Sequence, residues 1–123
     1  MLRLVRFRFD GSNLTALSNV VPGGGHPTLH PDNRHVATDA YLYEPFTDAA
    51  GTVPLRWIDT VAGTDTQLIR VPSTPDYLSP VKQWRVDPHP AWDRSFRFVA
   101  MNGVQDNGTR GVIVADLGKL TAT

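Results

Sequence analysis

The 123-residue sequence contains no cysteine. That excludes a disulfide framework, a thiolate metal site and a catalytic thiol, and it leaves the redox compartment unread. Neither sign of charge is in excess: 12 Lys and Arg face 12 Asp and Glu, for a formal net charge of zero. Without a broad basic field, nucleic acid is not expected as a main partner. Long hydrophobic runs are also missing. The longest, Gly111-Val112-Ile113-Val114-Ala115, is strand-sized, so no membrane segment is expected. The first nine residues alternate apolar with basic and form no apolar h-region, so they do not read as a signal peptide. Ten Gly and ten Pro leave no room for a long helix. What is present is a globular composition, 41% hydrophobic and 20% charged.

Alternation with a period of two dominates. Leu2, Leu4, Phe7 and Phe9 fall against Arg3, Arg6 and Arg8, with one slip near Val5, and Asp10-Gly11 makes a turn to a return strand at 13–17. Further strands are expected over 34–39, 54–61, 67–71, 97–101 and 110–117, with the proline-rich stretch 72–80 as a loop. The fold class is all-β, built from short antiparallel strands, with no convincing helix.

The chain also repeats itself. His26-Pro27-Thr28-Leu29 returns as His89-Pro90-Ala91-Trp92, and at the same spacing Arg34-His35-Val36-Ala37 returns as Arg97-Phe98-Val99-Ala100. Trp57-Ile58-Asp59 then matches Val114-Ala115-Asp116 at a spacing six residues shorter, as a shortened loop would give. A unit of four short strands repeated at this length resembles a β-propeller blade. Residues 1–20 read as strands C and D of a preceding blade, 21–80 as one full blade with its connecting loop, and 81–123 as a partial last blade. About two blades of a larger ring are thus expected, with the missing blades as partners and open sheet edges meanwhile. The abrupt amphipathic start fits a part of something longer. A small stand-alone β-sandwich or barrel is the alternative.

Gly24-Gly25-His26-Pro27-Thr28-Leu29-His30-Pro31-Asp32, with Val36-Ala37-Thr38-Asp39, resembles the oligogalacturonate lyase-like propellers of the wider Tol-type group. So does Arg85-Val86-Asp87-Pro88-His89-Pro90-Ala91-Trp92, and propeller-form ulvan lyases are similar too. The resemblance runs from about residue 20 to 118 and covers only the last part of a family member. Asn33 and Ser95-Phe96 depart from the usual glycine-containing turns. Gln83 is one residue out of step with the family's glutamine, and Asp87 stands two residues before His89.

Asp87 and His89, two apart, would share one face of a strand, and His26 holds the position of His89 in the neighbouring blade. With first strands lining a common channel, His26, Asp87 and His89 can converge on a divalent metal, Mn, Zn or Fe. The resemblance implies β-elimination on an acidic, uronate-containing oligosaccharide. There a metal on the uronate carboxylate stabilises an enolate-like transition state and a base removes the neighbouring proton. In the family that base is a His aided by an Arg on other blades, and no motif here matches either. Arg85, on the expected face of Asp87, is a candidate for the substrate carboxylate.

Each of these residues has a plainer role. His-Pro can cap a loop, Asp87 can accept backbone N–H groups, and Arg85 can bridge Asp87. His30 and His35 lack repeat partners of their kind and read as surface or packing residues. Asp39 and Tyr41 end a strand and could reach the pocket rim, with a loop cap and a packed ring as the plainer reading, and Trp57, Trp84 and Trp92 read as core, with Trp84 also able to stack on a sugar. Three functions are weighed: a lyase fragment inactive alone, a non-catalytic interaction scaffold, and a metal-dependent hydrolase on the same ring.

Overall fold

The computed structural model describes residues 2–42, 44–74 and 85–121. Trp84 and Gln83 lie outside the described residues. Among the described residues the protein is all-β apart from one helical turn, with three antiparallel sheets. Strands β1 (Val5–Arg6) and β2 (Thr15–Ala16) form a hairpin. Strands β3 (Thr28–Leu29), β4 (His35–Thr38), β5 (Thr52–Asp59) and β6 (Thr64–Pro72) form a four-stranded sheet in chain order. Strands β7 (Ala91–Trp92), β8 (Phe98–Val104) and β9 (Arg110–Asp116) form a three-stranded one. The expected strands are all present with shifted ends. One helical turn, α1 (Gly118–Thr121), was not expected: Leu120 and Thr121 donate their N–H groups back to Leu117, too short a run to leave a periodic signal. Among the described residues no helix is long and apolar enough to cross a membrane, and no sheet is closed.

The repeat seen in the sequence is also a repeat of pairing. Leu29 pairs with Val36 and Val36 with Ile58, while Trp92 pairs with Val99 and Val99 with Ala115. Each copy is tied by one ion pair across its second and third strands. Arg34 binds the Asp59 carboxylate through Nε (2.8 Å) and Nη2, and Arg97 binds Asp116 through Nε (2.9 Å) and Nη2 (2.6 Å). The turns between the first two strands are matched as well. Asn33 and Phe96 both adopt left-handed backbone, at φ +58° and +55°, and donate their N–H groups to His30 and Asp93. The carboxylate serving each turn has moved, however. Asp32 Oδ1 accepts from the N–H groups of Arg34 and His35, whereas Asp93 Oδ1, two places earlier in its copy, accepts from Arg97 and Phe98.

Packing follows the alternation. Val36 and Ile58 face the hairpin and join Val21, Leu4 and Leu17. One residue along, Ala37 and Trp57 face the other way and meet Val99, Met101 and Leu117, with Trp92, Ile113 and Ala115 against them. β5 is therefore covered on both sides and buried from Val53 to Ile58. Pro54 is tolerated there because the ladder with β4 extends only from Asp59 to Arg56, so no partner strand on that side misses its N–H. A register shift between Leu55 and Arg56 marks the same point. Trp57 is a core residue and Trp92 packs edge-on to it. His35 stacks on Trp57 and His30 meets Trp57, Trp92 and Phe96 edge-on, so both histidines are packing residues.

Candidate functional site

The two His-Pro segments meet just ahead of β3 and β7. Pro27 restrains the residue before it, and Pro88 and Pro90 hold 85–90 out of any ladder. Asp87 and His89 are therefore not on a strand, which corrects the shared-face expectation. His89 instead sits at φ +49°, a conformation rare outside glycine and asparagine. Prolines on both sides, lacking N–H groups, remove the pairing that a strand would need.

The three residues nevertheless converge. His26, Asp87 and His89 offer potential ligand atoms that all lie within 4.8 Å of one another. The imidazoles of His26 and His89 stack, with centroids 3.5 Å apart and 24° between their planes. His26 and Asp87 are half-buried and His89 is exposed.

What sets this geometry is Asp39, fully buried at the end of β4. Its Oδ1 accepts the backbone N–H of His26 and its Oδ2 accepts that of His89 at 2.9 Å. The same carboxylate lies 3.0 Å from His26 Nδ1. A carboxylate on Nδ1 fixes the ring and directs Nε2 outward, the arrangement commonly found behind metal-binding histidines. Gly25 permits it, because a Cβ there would stand 2.1 Å from the Asp39 carbonyl oxygen. Tyr41 meets His26 edge-on at 5.0 Å.

Arg85 lies where its short spacing to Asp87 places it: its Nε is 3.1 Å from both Asp87 oxygens. The segment is anchored further by Val86 N–H to Ser73 (3.1 Å) and by Asn102 N–H to the Pro88 carbonyl (2.8 Å). Two open grooves flank His89. One, of about 760 Å³, is lined by both His-Pro pairs with Leu29, Trp92 and Phe96. The other, of about 300 Å³, is polar and lined by Arg85, Asp87, His89, Asn102 and Arg110.

Sequence reasoning missed two of these residues in their present roles. Asp39 reads from the sequence as a loop cap, and in the structure it caps both histidine segments at once. Arg110 read only as a strand start, with no motif to mark that its β9 end turns toward Arg85. The donor set fits a divalent ion, with two imidazole nitrogens and a carboxylate of the hard-to-borderline kind. Stacked rings do not share one ion, since each nitrogen binds in its own ring plane, so a shared ion would require His89 to swing open. Its exposure leaves room for that. Comparison with known proteins finds no matching family model, no matching curated protein and no matching solved structure.

Proposed function

We propose that the chain supplies about two blades of a propeller of the polysaccharide lyase-like kind, acting by β-elimination on an acidic, uronate-containing oligosaccharide. His26, Asp87 and His89 would hold a divalent ion, Mn, Zn or Fe. The observation that carries this reading is the convergence of these three groups within 4.8 Å, with His26 61 residues or more from the other two in the chain, behind a buried carboxylate. Bound there, the ion would supply a Lewis acid for the uronate carboxylate. The chain's own residues would orient the sugar. Arg85 and Arg110 line one polar groove, a cationic setting suited to a carboxylate, and Trp92 and Phe96 line a second groove suited to a ring face. No general base is assigned among the described residues.

A second reading is favoured by the internal pairing of Arg85 with Asp87 and of Asp39 with both histidine segments. On that reading the corner is purely structural and the chain is part of an interaction scaffold. One measurement separates the two. Protein purified without chelator is titrated with Mn²⁺, Zn²⁺ and Fe²⁺ by calorimetry, as wild type, His26→Ala and His89→Gly. Glycine at 89 removes the ring and keeps the left-handed backbone unstrained. Stoichiometric binding that each variant weakens by about tenfold or more supports the metal reading. No binding, or binding that survives both changes together, leaves the scaffold.

A further inference from the structure

Among the described residues, the stack of sheets ends in two faces that no other sheet covers. In the four-stranded sheet Ala37 and Trp57, paired across β4 and β5, are buried beneath the last sheet. Their counterparts in the last sheet are Ala100 and Val114, paired across β8 and β9. Ala100 is exposed, Val114 is 62% exposed, and Val112, next on the same face, is 71% exposed. The last sheet thus presents to solvent the face that its twin keeps dry. At the opposite end the hairpin turns Leu4 and Leu17 inward and leaves Val5 and Phe7 outward, 50% and 60% exposed.

These ends are unlike each other. One is the back of the repeated unit, and the other, the front of the molecule, is the outer face of the hairpin, whose inner face covers Val36 and Ile58 as the back of the four-stranded sheet covers Val99 and Met101. Contiguous apolar surface of this kind marks an interaction site. We propose that a second copy of this chain covers it, head to tail, with Ala100, Val112 and Val114 of one copy against Val5 and Phe7 of the next. The contact continues the internal sheet-on-sheet interface, and both complementary faces are present on a single chain. It is a heterologous contact, which adds copies in one direction and closes only as a ring. The inference rests on the sheets alone and does not depend on the metal reading.

The test is sedimentation velocity on the purified 13.6 kDa chain, from low micromolar to roughly 100 µM. The mass should rise with concentration. Phe7→Glu and Val114→Lys, both at exposed positions, should each weaken association by about tenfold or more. Far-UV circular dichroism should show both variants folded. Mixing the two should restore a complex that stops at two copies, because the Val114→Lys copy keeps its front and the Phe7→Glu copy keeps its back. A chain that stays monomeric throughout overturns the proposal. So does a Phe7→Glu protein that self-associates as well as wild type, which would mean back-to-back packing. Association indifferent to Val114→Lys also overturns it, since pairing would then run through the outer edge of β9.

Discussion

Asp39 accepts the backbone N–H of His89 across fifty residues of chain, at 2.9 Å and out of contact with water. With the His26 N–H on its other oxygen, one carboxylate fixes the starts of both repeated units. The position of each imidazole is therefore a property of Asp39 as much as of its own segment.

Replacing that carboxylate should loosen both segments together. Asp39→Asn keeps the shape but turns an N–H₂ group toward donors, so it should destabilise the fold by about 2–4 kcal/mol in urea unfolding. If the proposed metal centre forms, the same change should weaken metal binding by roughly 10–100-fold, although Asp39 touches no metal. A change confined to one histidine's NMR signals would contradict the shared anchor.

Gly25 makes the anchor possible, and its replacement should be costly. Alanine there would drive a methyl group into the Asp39 backbone at a φ of +75°. We expect Gly25→Ala to lose about 2–4 kcal/mol. Gly11→Ala is the control. It has a similar φ of +82° but nothing within 4 Å, so it should lose only about 1 kcal/mol. Thermal melts of the two variants give the comparison.

Acid should unfold the protein through its turns and ion pairs. The Ser95 hydroxyl, with the N–H groups of Phe98, Ser95 and Arg97, lowers the Asp93 pKa to about 2. The Arg97 guanidinium, with the Gly118 N–H, lowers that of Asp116 to about 2, and Arg34 holds Asp59 well below the usual carboxylate range. Groups depressed in the folded state stabilise it fully above the unfolded carboxyl value of about 3.9 and cease to do so as pH falls through the folded value. The urea midpoint should therefore be level from about pH 7 to 5 and fall steeply between about pH 4 and 2. Asp93→Asn should flatten part of that fall.

The matched left-handed turns give a fourth expectation. Asn33 tolerates φ +58°, so Asn33→Gly should be nearly neutral and Asn33→Ala should cost about 1 kcal/mol. Phe96 holds the same conformation against preference, within reach of Trp92 and His30. Phe96→Ala keeps the backbone penalty and loses those contacts, so it should cost more than Asn33→Ala. Paired chemical denaturation curves would show the order.

The repeat was legible because it is written in residues whose job is local. Arg34, Val36 and Ala37 return as Arg97, Val99 and Ala100 at one spacing, and alternation alone places their side chains. That Arg34 and Arg97 each reach an aspartate on the neighbouring strand was not legible, although Asp59 and Asp116 stand in the matched triplets. The meeting of His26 with His89 followed from the repeat, but the path proposed for it did not. Two-residue spacing suggests a strand through Asp87 and His89, and Pro88 and Pro90 forbid one. Asp39 was hardest to see. Its counterpart at the same spacing is Asn102, which holds the Pro88 carbonyl instead, so self-similarity gave no mark of its role.

The shifted carboxylates of the two turns show one bond pattern built from two different places in the chain. Asp32 and Asp93 feed the same pair of amide donors from places two residues out of alignment. Either place brings a carboxylate to the equivalent pair of amide donors, so the bond constrains the turn while leaving the position of its acid open. Matching donors to acceptors therefore reveals the likeness of the two copies where matching letters does not.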